Sequence, residues 1–215
     1  MTSAVDVTLA LYQPADWCDV LIDEHGDARA HMEAVVARTW PTCPPHLRPG
    51  VVELLIRWRE DMLAQGTASH GIVTTRTEAG DPVSWQVATS VVPLPSGAEV
   101  DHSQLLARYV RELGRDIVHV ETYPTDMGHG LGLVAFPEVR PPSGLEALGA
   151  PPAGGPIRMA MAAALSFAPG SGFGVLVVGL AVAPGQVAEL SALVAAMAGR
   201  SRLHLAGPAD AEGFE

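Results

Sequence analysis

The residues best equipped for chemistry are His119, Glu121, Asp126 and His129. Imidazole and carboxylate groups are the usual ligands of zinc and related ions and the usual acids and bases of catalysis. With a period of two along a strand, His119 and Glu121 fall on one side. His129 follows a short turn, so a hairpin that brought its ring round would supply a His119, Glu121, His129 metal set. The spacing matches no established metal motif, and eight histidines in the chain make such a cluster a frequent accident.

Other reactive types are scattered. Gly128-His129-Gly130-Leu131-Gly132 is glycine-rich, but a phosphate cradle should follow a strand and open a helix, whereas here a strand follows. Ser69-His70 and His102-Ser103 lack the Gly-x-Ser-x-Gly elbow of a serine hydrolase. Cys18 and Cys43 are too few for a disulfide framework and lack zinc spacing, so they read as two independent reduced thiols, with one bridge between them as the alternative. No cofactor is implied, and no catalytic residue stands out. Four tryptophans invite a contact role. Trp58 and Trp85 sit on apolar stripes and belong to a core, while Trp17 and Trp40 flank loops and are candidates for a partner-binding surface.

The elements that must position these groups are organised around Ile157–Gly199, in which no residue from Met159 to Val182 is charged. Pro169-Gly170-Ser171-Gly172 divides the run into strand lengths, so it is a buried hairpin and not a membrane span. Along the first strand Met159, Met161, Ala163, Leu165 and Phe167 alternate with Arg158, Ala160, Ala162, Ala164 and Ser166. The second face is small enough for a helix to lie across it. The helix after Pro184, striped with Val187, Leu190, Leu193, Val194 and Met197, is the natural occupant, with Gly199 as its C-terminal cap.

Upstream, alternation predicts strands over Val5–Tyr12 and within Trp17–Asp23. Asp27 caps a helix that stops at Trp40-Pro41. Pro44-Pro45 and Pro49-Gly50 bracket a connector, and Val51–Gln65 is the clearest helix, with Val51, Leu54, Leu55, Trp58 and Met62 on its stripe. A hairpin over Thr67–Leu94 follows, then a helix begun by the capping-box pair Asp101 and Gln104, then strands over Asp116–Thr122 and Gly130–Phe136. Glu138–Pro156, with five prolines and four glycines, is a long loop in which Leu145-Glu146-Ala147-Leu148 makes at most one helical turn. Leu145 and Leu148 are its candidate partner contacts. Arg200–Ala206 adds a terminal strand. The domain expected is residues 1–206, with an acidic flexible tail over 207–215.

Strands joined by short turns, with helices to cover them, give an α+β class: a mainly antiparallel sheet in a layered sandwich. The 215 residues carry a net charge of −11, with 13 basic residues, all arginine. No basic stripe exists to displace counterions, which argues against nucleic acid. A mean hydropathy of +0.22 argues for a folded chain. The first 17 residues contain no basic residue and no uninterrupted apolar run, so a cytoplasmic setting is expected, without membrane contact.

The succession of the Trp58 helix, the Thr67–Leu94 hairpin, the Leu105–Leu113 helix and the closing hairpin with its helix resembles the PsbP-like fold. That family is named for an extrinsic photosystem II subunit and also includes a eukaryotic Ran-binding protein and many small bacterial proteins. The resemblance covers most of the chain as element order and carries no site residue. It implies a non-catalytic accessory module that binds a protein partner or its own copy, through a sheet edge or the Glu138–Pro156 loop. Two alternatives stand beside it: a metal- or ligand-dependent enzyme using His119, Glu121 and His129, and a carrier of an apolar ligand between the alanine face and the helices.

Overall fold

The computed structural model describes residues 6–21, 26–76, 80, 83–94, 106, 117–139 and 155–206. Its centre is a seven-stranded antiparallel sheet. In chain order the strands are β1 (Asp6–Ala10), β2 (Trp17–Asp19), β3 (Thr67–Val73), β4 (Trp85–Pro93), β5 (Ile117–Thr125), β6 (Gly128–Ala135), β7 (Glu138–Val139), β8 (Ile157–Arg158), β9 (Ala160–Phe167), β10 (Phe173–Ala181) and β11 (Arg202–Ala206). The helices are α1 (Ala28–Thr39), α2 (Arg48–Ala64) and α3 (Val187–Arg200), the last preceded by a 3₁₀ turn over Pro184–Gln186. The sheet order is β2-β3-β4-β10-β9-β6-β5, with β1-β11 and β7-β8 as separate ribbons. This is the α+β sandwich expected from the alternation.

The hairpin of β9 and β10 supplies two of the three central strands. Ala160, Ala162 and Ala164 point to one face with Val175 and Val177, and α3 lies on them through Leu190, Val194 and Met197. Small side chains on β9 let the helix approach; Gly179 on β10 lets it approach further. A Cβ at Gly179 would stand 2.6 Å from a Val194 methyl and 2.8 Å from a Leu190 methyl. The opposite face carries Met161, Leu165, Phe167, Leu131, Leu133 and Leu176, against which Leu106 is fully buried. At the β2-β3 end of that same face, α1 and α2 enclose Met32, Val35, Val36 and Val52 with Ile72, Cys18 and Cys43.

Local signals place the helix ends. Asp27 accepts the Ala30 amide at 3.0 Å and caps α1, which stops at Trp40 before Pro41. The second helix starts earlier than its apolar stripe implies: Arg48 opens it, and Pro49 sits inside the first turn, where its missing N–H costs nothing. Its buried side is centred on Val52, with Val51, Leu55 and Ile56 beside it, a small rotation from the expected stripe. Gly199 does not cap α3; the helix runs through it to Arg200, and the Ser201 amide donates to the Met197 carbonyl. The start of the expected 138–156 loop is strand, since Glu138 pairs with Arg158 and Val139 with Ile157. The capping-box helix, apart from Leu106, and the acidic tail lie outside the described residues.

Gly179→Ala is expected to lower unfolding free energy by about 1–3 kcal/mol, because Val194 is branched on a helix and cannot rotate clear. Gly185, which has open space around its Cβ position, is the control: Gly185→Ala should change stability by less than about 0.5 kcal/mol. Urea denaturation of both variants measures the difference.

Candidate functional site

β5 reads Ile-Val-His-Val-Glu-Thr-Tyr-Pro-Thr and forms one edge of the large sheet. Every residue from Ile117 to Thr122 is exposed, Val118 at 58% and Val120 at 45%. Valines open to water on both sides of a histidine are unusual for a strand whose neighbour β6 is largely buried. Among the described residues nothing pairs with the outer edge of β5.

Pro124 shows which backbone groups that edge presents. It pairs with His129, and having no N–H it can occupy only a non-hydrogen-bonded pair. Alternation along the ladder makes Thr122 with Leu131 and Val120 with Leu133 the same kind of pair. The N–H and C=O groups of Thr122 and Val120 therefore point away from β6, toward solvent. A register shift between Ile117 and His119 puts a bulge at Val118. Proline at one end and a bulge at the other leave an open stretch of backbone between them.

The side chains of β5 take two directions. Glu121 lies over Gly132 and Tyr123 over Gly130, where a Cβ would come within 2.8 Å of the Tyr123 ring. That close approach is what the Gly128–Gly132 run serves; it is strand, not a phosphate cradle. Tyr123 is half-buried between β6 and Gly199 of α3. Its hydroxyl has no hydrogen-bond partner, and burial, helped by the Glu121 charge, pushes its pKa up to about 12.

His119 and Glu121 share the α3 side of β5, with Nε2 to Oε2 at 3.5 Å and both side chains about 60% exposed. His129 faces the other way, stacked on Phe167 with ring centroids 5.9 Å apart. Strand parity separates it from the first two: it alternates with Gly130 and Gly132 and joins Leu131 and Leu133 on the opposite face. The proposed metal set is thus split by the thickness of the sheet, and no group of three or more His, Cys, Asp or Glu side chains among the described residues is placed to hold a metal ion. Asp126, in the turn, pairs with Arg202 at 2.9 Å.

The crevice beneath His119 and Glu121, floored by Gly132, Ala162, Ala164 and Ala195, has a volume of about 20 Å³. That is room for about one water molecule. α3 fills the alanine face directly, so the space required for an apolar cargo there is occupied. A larger open groove of about 610 Å³ lies between the β5-β6 and β9-β10 turns, lined by Met127, Pro169, Ser171, His204 and the Asp126–Arg202 pair.

The remaining sequence candidates fall in different environments. Trp17 is 8% exposed, its ring covers Gly71 and its indole N–H donates to Asp19 Oδ2 at 3.1 Å. It is core, not contact surface: a glycine opposite a tryptophan on an adjacent strand creates a slot that the ring fills. Trp40, at the end of α1, is 42% exposed. Leu145 and Leu148 lie outside the described residues. Cys18 and Cys43 are buried thiols of one apolar cluster, and burial pushes the Cys18 thiol up. The outward-facing edge of β5 is not legible from alternation alone, which ends the strand at Thr122, whereas β5 continues to Thr125. A proline after alternating residues, read as an edge marker, would have found it.

No family model matches the chain, and no curated protein or solved structure is significantly similar to it.

His70 on β3 is a buried titratable group whose burial ties stability to pH. It is 2% exposed, meets Trp58 edge to face at 4.4 Å between ring centroids, and its Nδ1 has no partner. Burial lowers its pKa to about 4, with the Asp19 charge opposing weakly. The unfolded chain, with the ordinary value near 6.5, takes up the proton first as pH falls. The neutral ring's stability is therefore complete above about pH 6.5 and lost progressively toward pH 4, by about 3 kcal/mol. Urea midpoints from pH 7.5 to 4 should fall more steeply for the wild type than for His70→Leu; parallel profiles would contradict the assignment.

Proposed function

We propose that the chain is a non-catalytic accessory module that binds another polypeptide by adding a strand to the outer edge of β5. The observation that carries this reading is the combination, in one strand, of solvent-directed backbone groups at Val120 and Thr122 with exposed Val118 and Val120. Strand addition needs that pairing: main-chain hydrogen bonds give affinity, and alternate side chains give selectivity. The element order that resembles the PsbP-like fold supports the same role. The two-cysteine usage supports a cytoplasmic setting. No helix among the described residues is long and apolar enough to cross a membrane, in keeping with a partner that is a protein. A metal enzyme would require a third ligand beside His119 and Glu121, and the residue expected to provide it faces the opposite side of the sheet.

Val120→Pro tests this directly, because it deletes one outward N–H while leaving the β5-β6 ladder bonds in place. Native mass spectrometry of the untagged protein from its own cells should show a stoichiometric polypeptide, a second copy or another chain, on the wild type. Val120→Pro should lose it with an unchanged circular dichroism spectrum. A bare monomer, a small-molecule adduct alone, or a partner retained by Val120→Pro would overturn the reading.

A further inference from the structure

The residues of β5 also specify which polypeptide fits. We propose that the partner is a second copy of this chain, with the two β5 strands antiparallel about a two-fold axis at Val120. His119 of each copy then faces Glu121 of the other. This rests on the edge reading above and names its occupant.

Backbone geometry first limits the registers. The outward N–H and C=O groups belong to even-numbered positions, Val120 and Thr122, by the Pro124 argument. Two copies can bond only if even positions meet even positions, which puts the two-fold axis on a residue, and the axes that keep most of the open stretch paired are those at His119, Val120 and Glu121. An axis at Glu121 sets the two Glu121 carboxylates against each other and brings Pro124, with no N–H, opposite Val118. An axis at His119 sets the two imidazoles face to face and puts Glu121 opposite Ile117. The axis at Val120 pairs imidazole with carboxylate twice, in the non-hydrogen-bonded positions where cross-strand side chains are closest. It also sets Val120 beside Val120 and Val118 beside Thr122 of the second copy.

Matching each imidazole with a carboxylate that can accept its N–H therefore favours the axis at Val120, and the same register covers the apolar surface. His119 and Glu121 already lie on one side of β5 and are exposed. The pair of valines most open on this strand, at 58% and 45%, falls within the paired stretch. Pro124 lies beyond its end, and the bulge falls on its terminal residue, Val118, leaving the central His119–Glu121 segment regular. The interface is isologous, each copy offering the same five residues from Val118 to Thr122.

Analytical ultracentrifugation of the purified chain and its variants, with single-cysteine crosslinking, tests the proposal. The wild type should be a dimer at micromolar concentration, and Val120→Pro a monomer. His119→Glu should weaken dimerisation roughly tenfold or more, since symmetry repeats the repulsion twice. Adding Glu121→Lys to His119→Glu should restore it by setting each new carboxylate opposite an ammonium group. Under mild oxidation Val120→Cys should form the covalent dimer faster than His119→Cys or Glu121→Cys. A wild type that stays monomeric at 100 µM overturns the second-copy partner, and the edge reading then stands or falls on the Val120→Pro result with a different chain. A dimer that survives Val120→Pro overturns both. A Val120→Pro-sensitive dimer indifferent to His119→Glu, or crosslinked fastest through position 119 or 121, overturns this register while leaving the edge reading intact.

Discussion

The contact on which the fold depends is that of α3 with the alanine side of β9 and the glycine of β10. A helix sits at a distance from a sheet set by the side chains between them, and here those are Ala160, Ala162, Ala164 and Gly179. Leu190, Val194 and Met197 can then reach the backbone of the sheet, and water is excluded from most of two central strands. The cost of this closeness is a demand on volume: one methyl group in the wrong place displaces the helix. The helix also holds Tyr123 through Gly199, and the Asp126 amide donates to the Gly199 carbonyl at 2.8 Å. The anchoring of the β5-β6 hairpin thus descends from the same contact.

Among the described residues the other face of the sheet is covered unevenly. α1 and α2 sit at the β2-β3 end, and the large side chains of β6 and β9 form a separate cluster with Leu106. The distribution leaves β5 anchored from one side by α3 and exposed along its own length. Rigidity from the helix and accessibility at the edge are what a strand needs in order to present its backbone to a partner without unfolding.

Much of the architecture was readable because each element is specified by short-range rules. The alternation of Met161, Ala163, Leu165 and Phe167 with alanines fixed both the strand and the face to which a helix could dock. Asp27 marked its helix by the oxygen it offers to a free amide. What failed were inferences that depend on neighbours. Gly199 resembles a cap by position, yet the helix runs on through it to Arg200 and it packs beside Tyr123. Trp17 was assigned to a contact surface because it borders a loop, and only the pairing of β2 with β3 reveals the glycine slot beneath it. His119, Glu121 and His129 sit close in sequence, and pairing through a two-residue turn preserves strand parity, so their separation follows from the register once the turn is known. Alternation alone predicts too wide a turn, because Tyr123 and Pro124 belong to the strand. The same error concealed the edge.

The two borders of the large sheet are unequal. One is β5, nine residues long; the other is β2, three residues long, with Trp17 and Cys18 turned into the interior. A sheet with two good borders is a monomer unit for a fibre, because every addition leaves a fresh template behind. A sheet with one good border behaves differently: the first event consumes it, and what remains exposed is too short to recruit another chain. Were the β5 edge to take up a strand, this asymmetry would make growth self-terminating, so that an open template could be kept on the surface of a folded protein without committing it to polymerise.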